Sequence, residues 1–135
     1  MPETSICRAI LCFGKIKKQQ IREVISKIPN TSHVLRIVEV GKGTLTSARI
    51  YPREVVKVAL RHSAAALVFV HNHPSGVAQP SDDDKKITRD LVFACRLVGM
   101  KVHDHIIIGD NDKFSFADAG LIEQYDKDYD VRNVP

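Results

Sequence analysis

An unbroken apolar segment, Ala66 to Val70, constrains the fold of this chain most strongly, because it ends directly in two histidines. An apolar run of this length is typical of a buried strand. Side chains alternate across a strand, so residues two apart share a face and lie about 6–7 Å from each other. His71 and His73 are therefore predicted to point the same way, towards one ion. Pro74 lacks a backbone N–H and ends the strand.

A helix is predicted to begin shortly afterwards, with Ser81 as its N-cap and three aspartates in its first turn. Asp84 would then lie near the strand end that carries the histidines. Two imidazoles and one carboxylate leave a fourth position for water, as in catalytic rather than structural zinc sites. Bound zinc lowers the pKa of such a water from 15.7 to about 7. The Ser81-x-x-Asp84 spacing also fits a capping box, so Ser81 can both cap the helix and face the metal water.

Composition is that of a single water-soluble domain. The chain has 135 residues, of which 44% are hydrophobic and 27% charged. No apolar run is long enough to span a membrane, and the short apolar segment near the start makes a poor signal peptide. The three cysteines, Cys7, Cys12 and Cys95, show no paired spacing and are interpreted as free thiols. A reducing compartment follows, and we expect a cytoplasmic protein.

The net charge of +4 permits contact with nucleic acid but gives it weak support. The basic residues near the start and those at helical spacing around Arg53 to Arg61 also fit solvated helix faces. Aromatic residues make up only 6% of the chain and include no Trp, so a base-stacking platform has little material. Nothing in the sequence fixes the oligomeric state.

The hydrophobic pattern predicts a single α/β domain of layered architecture with a mixed sheet. The expected elements are a helix at 18–28, strands at 34–40 and 44–51, a helix at 52–61, a strand at 66–71, a helix at 82–98, and strands at 102–108 and 114–116. The corresponding domain boundaries are an N-terminal extension with one helix at 1–33, the domain proper at 34–122, and a polar, loose tail at 123–135.

A metal-activated hydrolase usually needs a general acid/base beside the water. Glu39 is the first candidate, because it lies in a predicted strand just before two glycines, where apolar neighbours could raise its pKa. An edge-strand Glu facing solvent is the alternative. Glu54 is the second candidate base, although its place in the first turn of a helix is explained by the helix dipole alone.

Two further polar residues are expected to support the ligands. Asp104 could pair with a ligand histidine and fix its tautomer, or it could simply bind nearby backbone. Asn72 lies between the two histidines and would point away from the metal. We expect it to support the site from beside the ligands.

The motifs together resemble the RadC proteins. The matching segments are His71 to Gly76, Pro80-Ser81 with Asp84, Gly43 to Leu45, Pro52 to Val55, Ala64 to Ala66 and Asp104 to Gly109. RadC domains belong to the JAB1/MPN (JAMM) metalloprotease-like superfamily, whose pattern is an upstream Glu, His-x-His-Pro, then Ser-x-x-Asp. The resemblance covers about Val34 to Ile122. The helix-hairpin-helix module of full-length members is expected to be lacking.

The resemblance implies a cytidine-deaminase-like fold with Zn²⁺ held by His71, His73 and Asp84. It further implies that Ser81 assists the water or oxyanion and that an upstream Glu is the acid/base. Glu39 lies four residues before Gly43, whereas the family acid often lies about five before the matching glycine. One residue reverses the face of a strand.

The leading hypothesis is therefore a zinc-dependent hydrolase acting on a peptide or isopeptide bond of a peptide or protein substrate. The alternative is a protein associated with DNA repair, either a DNA-binding or interaction module or a metal-dependent nuclease, with no peptidase activity.

Overall fold

A computed structural model describes residues 7–28, 34–40 and 50–132 of the chain. Its elements, in order, are β1 (Cys7–Phe13), α1 (Lys18–Ser26), β2 (Val34–Val40), α2 (Pro52–Arg61), β3 (Ala64–Asn72), α3 (Asp82–Leu97), β4 (Lys101–Ile108), β5 (Lys113–Ser115) and α4 (Leu121–Arg132). The strands form one sheet in the order β2-β1-β3-β4-β5. All neighbouring strands are parallel except β5, which is antiparallel to β4. The predicted α/β class, with a mixed sheet flanked by helices, is confirmed.

The sheet is buried on both faces, and each face has its own apolar core. Leu67 and Phe69 of β3 point to the face covered by α2, α3 and α4, here named the three-helix face. Val68 and Val70 point to the opposite face, where Val24 of α1 covers them, here named the α1 face. Burial on both faces explains why β3 is continuously apolar rather than alternating.

The strand order places a topological switch between β1 and β3. The chain leaves β1 through α1 on one face and reaches β3 and β4 through helices on the other. In open α/β sheets with this order, ligands bind at the carboxyl ends of the strands beside the switch. His71 and Phe13 are paired at those carboxyl ends.

The boundaries expected for α1, β2, α2, β3, α3, β4 and β5 agree with the structure to within two residues. The strand expected at 44–51 falls almost entirely outside the described residues. Among the described residues, no helix is long and apolar enough to cross a membrane.

The N-terminal extension expected at 1–33 is wrong in one respect. Residues 7–13 form β1, which lies inside the sheet between β2 and β3 and belongs to the domain. All its residues from Ala9 to Phe13 are at most 2% exposed. A buried parallel strand is apolar throughout, and this one resembles a short hydrophobic leader for the same reason.

The polar tail expected after Ile122 is also wrong, because residues 121–132 form α4. Tyr125 is buried against the core of the three-helix face, and three aspartates of α4 pair with arginines of α3. Arg96 of α3 binds Asp126 at 3.0 Å and Asp130 at 2.6 Å. Ion pairs with α3 thus accompany the burial of Tyr125, and these polar residues leave no strong apolar stripe in the sequence.

Candidate metal centre

The candidate site begins at the carboxyl end of β3. His71 lies opposite Phe13 of β1 and Ile107 of β4 and points to the three-helix face, as Phe69 does two residues earlier. His73 follows the last strand residue, and its N–H donates to the carbonyl of Ile108 at 3.0 Å. The two imidazole centroids are 5.0 Å apart with their planes at 85°. The strand therefore brings both histidines to the same side, as the spacing predicts.

A tight loop fixes the orientation of His73. Its Nδ1 lies 2.8 Å from the carbonyl oxygen of Val77, and the N–H of Gly76 donates to the carbonyl of His73 at 3.0 Å. The loop also rests on the turn between β4 and β5, where Asp110 N–H donates to the carbonyl of Gly76 at 2.8 Å. A side chain at Gly76 would collide with the Asp110 carboxylate, and Gly76 has a positive φ of 85°. This loop thus accepts only glycine at that position.

Asp84 reaches the histidines from the first turn of α3. Its N–H donates to Ser81 Oγ at 3.0 Å, and its Oδ2 accepts the N–H of Ser81 at 2.9 Å. The capping box predicted from the sequence is therefore formed. Burial tends to raise the pKa of Asp84, but the hydrogen bonds from Ser81 and the charges of the two histidines lower it overall. The carboxylate is thus held ionised in the position that the cap defines.

The three side chains offer a donor set for one metal ion. Ligand atoms of His71, His73 and Asp84 all lie within 4.8 Å of one another. The carbonyl of Val77 can only accept, so His73 Nδ1 carries a proton, and Nε2 of the neutral ring carries a lone pair. That lone pair faces Asp84 Oδ2, another acceptor, at 2.9 Å. A proton or a metal ion must lie between two such atoms, and two imidazoles with a carboxylate suit zinc and related divalent metals.

The burial of His71 favours the neutral form that a metal needs. Its pKa is lowered, first by burial and then by the nearby His73, while the charge of Asp84 opposes the shift. The side chains of His73 and Asp84 are 15% and 14% exposed. The centre is therefore partly sheltered but open on one side.

Ser81 lies beside the ligands without being one of them. Its Oγ accepts the N–H of Asp84, which leaves its own hydroxyl proton available to another acceptor. The residue is exposed, so that acceptor can arrive from solvent. The capping role that the sequence suggests for Ser81 is confirmed, and its role towards a metal-bound water stays a prediction.

Glu39 is not brought to the site. Its neighbours Val38 and Val40 pack on the core of the three-helix face, so Glu39 points to the α1 face, where its charge acts on its paired residue Cys12. It is exposed, as the alternative interpretation of this residue expects. The assignment of Glu39 as the base is therefore corrected: a strand residue between two inward valines cannot face His71. The sequence contains an indication of this, because Glu39 lies four residues before Gly43, whereas the family acid often lies about five before the matching glycine.

Glu54 offers no replacement. It lies in the first turn of α2 with a side chain that is 56% exposed, and its carboxylate is 3.6 Å from Arg53. It is not part of the three-ligand cluster. The helix-dipole explanation of this residue is sufficient.

Asp104 is also away from the ligands. It pairs with Val68, which belongs to the α1 face, and its carboxylate accepts hydrogen bonds from Ser115 Oγ and from the N–H groups of His105 and Ala117. The expected pairing with a ligand histidine is therefore wrong, and the backbone alternative holds. Burial raises the pKa of Asp104 despite these bonds.

Asn72 points away from His71, as expected, and joins two strands. Its Nδ2 donates to the carbonyl of Lys15, just beyond β1, at 3.0 Å. Asn72 thereby supports the backbone that carries His71, without a described contact to the ligand side chains. The sequence predicts that Asn72 supports the site, but it does not identify the carbonyl of Lys15 as its partner.

His105 is the residue at the site that sequence reasoning misses. It is 2% exposed, stacks on Phe116 with centroids 4.8 Å apart, and lies 6.1 Å from the His71 ring. Burial, followed by the neighbouring His71, lowers its pKa to about 3. Simple alternation from Val102 along β4 predicts the opposite face for His105, and an irregularity in the pairing of β3 with β4 brings it to the side of His71 instead.

Comparison with known proteins agrees with this arrangement. A family model described as RadC-like JAB domain matches residues 11–121, which include the two histidines, Ser81 and Asp84. The chain belongs to the RadC-like JAB domain family. The matched region begins inside β1 and ends at the first residue of α4. It therefore includes β3, the middle strand of the sheet in this RadC-like domain.

Curated relatives of this RadC-like domain are UPF0758 proteins. One from Nitrosomonas eutropha is 57% identical over 88 residues, which cover 65% of this chain and 39% of the relative. Another from Vibrio parahaemolyticus is 50% identical over 114 residues, which cover 83% of this chain and 51% of the relative. The RadC-like domain thus spans about half, or less, of the length of these relatives.

Proposed function

We propose that this RadC-like domain is a zinc-dependent hydrolase in which a metal-activated water attacks a peptide or isopeptide bond. The observation that carries the proposal is the convergence of ligand atoms of His71, His73 and Asp84 within 4.8 Å of one another, with His73 Nε2 2.9 Å from Asp84 Oδ2. Two imidazoles and a carboxylate are a donor set that suits zinc. Three protein ligands also leave a coordination position for water.

The residues of the chain would divide the work as follows. His71, His73 and Asp84 would hold the ion, which, when bound, lowers the pKa of water and polarises a carbonyl group. The loop hydrogen bond to Val77 and the capping box keep His73 and Asp84 oriented before substrate arrives. The free hydroxyl proton of Ser81 would be donated to the oxyanion that develops on the carbonyl.

Proton transfer is the weak part of this machinery. Glu39 faces the other side of the sheet, and Glu54 lies outside the cluster. A positioned acid/base contributes about 10²- to 10⁴-fold to such reactions. We therefore expect slow intrinsic turnover, with protons exchanged through solvent or through a group that the substrate or a partner supplies.

The experiment starts from protein stripped with EDTA and reloaded with one equivalent of zinc. Both forms are incubated with a quenched fluorescent peptide library and with a model peptide carrying an isopeptide bond at a lysine side chain. Zinc is expected to restore cleavage that EDTA abolishes. Asp84→Asn should remove zinc binding and cleavage together, while Asp83→Asn, an exposed aspartate in the same helical turn, should leave both unchanged.

Cleavage by the metal-free protein at the same rate would contradict the proposal. Equal zinc affinity in the Asp84→Asn and Asp83→Asn variants would contradict it as well. Zinc binding without any cleavage would support the metal centre, contradict the hydrolase and favour the second candidate.

The second candidate is a DNA-associated module of the kind that the sequence leaves open. Exposed Lys15, Lys17 and Lys18 follow β1 at the same rim of the sheet as the metal ligands. On the face of the sheet that carries the metal ligands, β2 contributes Val38 and Val40 and no acid that could serve in hydrolysis. A metal centre beside a basic rim suits a polyanion better than a neutral peptide.

This candidate predicts duplex binding that weakens steeply with salt. Binding should survive His71→Ala, because the metal would serve structure, and should fall when the three lysines are changed to glutamine. A metal-dependent nuclease would instead cut the duplex and lose that activity in Asp84→Asn. Salt-independent or undetectable binding would exclude both forms of this candidate.

A further inference from the structure

A cavity of about 750 Å³ opens on the α1 face, on the other side of the sheet from the metal ligands. Its floor is the sheet itself, at Ala66 and Val68 of β3 and Ile106 of β4. One wall is the end of α1, with Val24 and Ile28, and the opposite wall is β5 with the loop that follows it. A volume of this size is typical of pockets that bind small molecules. The proposed hydrolysis makes no use of this cavity.

Two basic residues flank the floor of the cavity near the amino ends of the strands. Arg8 of β1 pairs with Ala66 of β3, and Ala66 pairs with Lys101 of β4, so the three residues form one row across the sheet. Neighbouring strands lie about 5 Å apart, which places the Cα atoms of Arg8 and Lys101 about 10 Å from each other. Both side chains line the cavity, with the small side chain of Ala66 between them. This row, here named the basic row, thus leaves room for a ligand group between two positive charges.

An irregularity in β4 adds a histidine to this end of the cavity. The register between β3 and β4 skips His103. Because of this bulge, His103 and its neighbour Asp104 both line the cavity, although alternation along a regular strand would place them on opposite faces. Partial burial lowers the pKa of His103, and the positive charges of Lys101 and Arg8 lower it further. The three basic side chains therefore lie close enough to act on one another.

The charges around the cavity favour an anion. Its lining contains four cationic side chains, Arg8, Lys27, Lys101 and Lys113, and two acidic ones, Asp104 and Asp118. The carboxylate of Asp104 already accepts hydrogen bonds from the hydroxyl group of Ser115 and from two backbone N–H groups. Lys101 also contacts Asp126 of α4 at 3.7 Å, but an exposed ion pair of this kind contributes little. A negatively charged ligand group is therefore complementary to the basic row.

Beyond the basic row, the cavity is aliphatic. Val68 and Ile106 lie further along β3 and β4, and Val24 and Ile28 of α1 belong to the same apolar cluster. Val68 and Ile106 are only 5% and 6% exposed, so the cleft above them is narrow and suits a hydrocarbon chain better than a helix. Among the described residues that line it, none is a phenylalanine, tyrosine or tryptophan on which a nucleobase could stack.

We propose that this cavity is a second binding site, which takes a linear aliphatic carboxylate of the fatty-acid type. The carboxylate group lies between Arg8 and Lys101 above Ala66, and the hydrocarbon chain runs over Val68 and Ile106. Charge-assisted hydrogen bonds hold the head group, and the chain is removed from water. The site depends neither on the metal centre nor on the proposed hydrolysis.

The test is a titration of the full chain with decanoate in EDTA, followed by calorimetry and by proton–nitrogen NMR. EDTA removes metal ions to which a carboxylate could bind on the other face. Decanoate should shift the amide signals of Ala66, Val68 and Ile106 more than those of His71 and His73. Decanol has the chain without the charge, and acetate has the charge without the chain. Each should bind at least about 10-fold more weakly than decanoate.

Two kinds of variant locate the ligand. Ala65→Leu adds bulk at an exposed position of the lining and should weaken decanoate binding without disturbing the fold. Lys27→Gln combined with Lys101→Gln should weaken it by about 10-fold and reduce its dependence on salt. The matched control combines Arg22→Gln with Lys127→Gln, which removes the same number of exposed charges outside the lining. The control should bind decanoate as the wild type does.

Each outcome decides whether the site exists. Failure of decanoate to bind below the concentration at which it forms micelles would overturn the inference. Equal affinity for decanol would mean an apolar cleft without a head-group site, and it would overturn the inference as well. Wild-type affinity in the Lys27 and Lys101 double variant would do the same, and this variant decides if Ala65→Leu does not fold. A protein that binds decanoate in EDTA but cleaves nothing with zinc refutes the proposed hydrolase and supports this site.

Discussion

Glu39 and Asp84 are both acidic residues, but their side chains lie on opposite sides of the sheet. Asp84 points at two histidines from a helix cap, and Glu39 lies between two inward-facing valines. Glu39→Gln should therefore leave zinc affinity and any cleavage rate unchanged. Asp84→Asn, an equally small change, should reduce zinc affinity by more than the about 10- to 100-fold that loss of a supporting hydrogen bond costs. Isothermal titration with zinc checks both, and a clear loss of affinity in Glu39→Gln would mean that β2 is in another register.

The cysteines make a second prediction at this scale. Cys12 and Cys95 are 2% and 0% exposed, and burial raises the pKa of their thiols to about 11 and about 12. Thiolate is the reactive form, so neither should react with a disulfide reagent in the native protein. Cys7, which is partly exposed, should react first. We expect one thiol to react before denaturant is added and all three to have reacted after it is added. Rapid reaction of all three thiols in the native protein would contradict the buried positions.

The clustering of the candidate metal ligands could be predicted from the sequence because their spacing is local. His71 and His73 share a strand end, and Ser81 and Asp84 share a helix cap, so alternation and capping rules are enough to place them. His105 could not be found this way. Its position beside His71 depends on the hydrogen bond to Thr88 and on an irregular pairing of β3 with β4, and both join segments that are distant in the chain.

Among the elements, α4 shows why a polar segment can be structural. It contributes Ile122 and Tyr125 to the main core, and it binds α3 through ion pairs and through the edge-to-face contact of Tyr129 with Phe93. Tyr125→Ala should lower the free energy of unfolding by about 2–4 kcal/mol, since it removes a buried aromatic ring. Val131→Ala, at a side chain that is 74% exposed, should change it by less than about 0.5 kcal/mol. Urea unfolding measures both, and equal small effects would mean that α4 is not docked in solution.

Strand β1 and helix α4 are the elements that the sequence pattern misplaces, for opposite reasons. β1 is so uniformly apolar that it has no alternation to identify it as part of the sheet. α4 is so polar that it has no stripe to identify it as packed. In both cases the missing information is the partner: β2 and β3 for the strand, and the arginines of α3 for the helix.

For the whole molecule, the buried histidine makes stability depend on pH. The pKa of His105 is about 3 in the folded protein against its ordinary value of 6.5, so between these pH values the unfolded chain binds the additional proton. Stability of the metal-free protein should therefore fall as pH drops from about 6.5 towards 3, by up to about 1.4 kcal/mol per pH unit. The lowered pKa of His71 acts in the same direction, and that of Asp84 adds to the loss at still lower pH.

The measurement is urea unfolding in EDTA at several pH values. The wild type should lose stability over this range faster than His105→Phe, which has no proton to bind at this position. Parallel curves for the two proteins would show that His105 is not buried as a neutral ring.

The loop after His73 has a consequence for recognising such sites in other chains. Its glycine at position 76 meets Asp110, and Gly109 leaves no room for a side chain against the backbone of residues 76 and 78. The aim of the His73 ring is thus set partly by a turn more than thirty positions downstream. A chain can therefore keep every letter of the histidine, serine and aspartate signature and still have a misplaced His73 ring, because one methyl group at either glycine would collide with this loop and turn. The two glycines are part of what a site of this shape requires, although they offer no ligand atom.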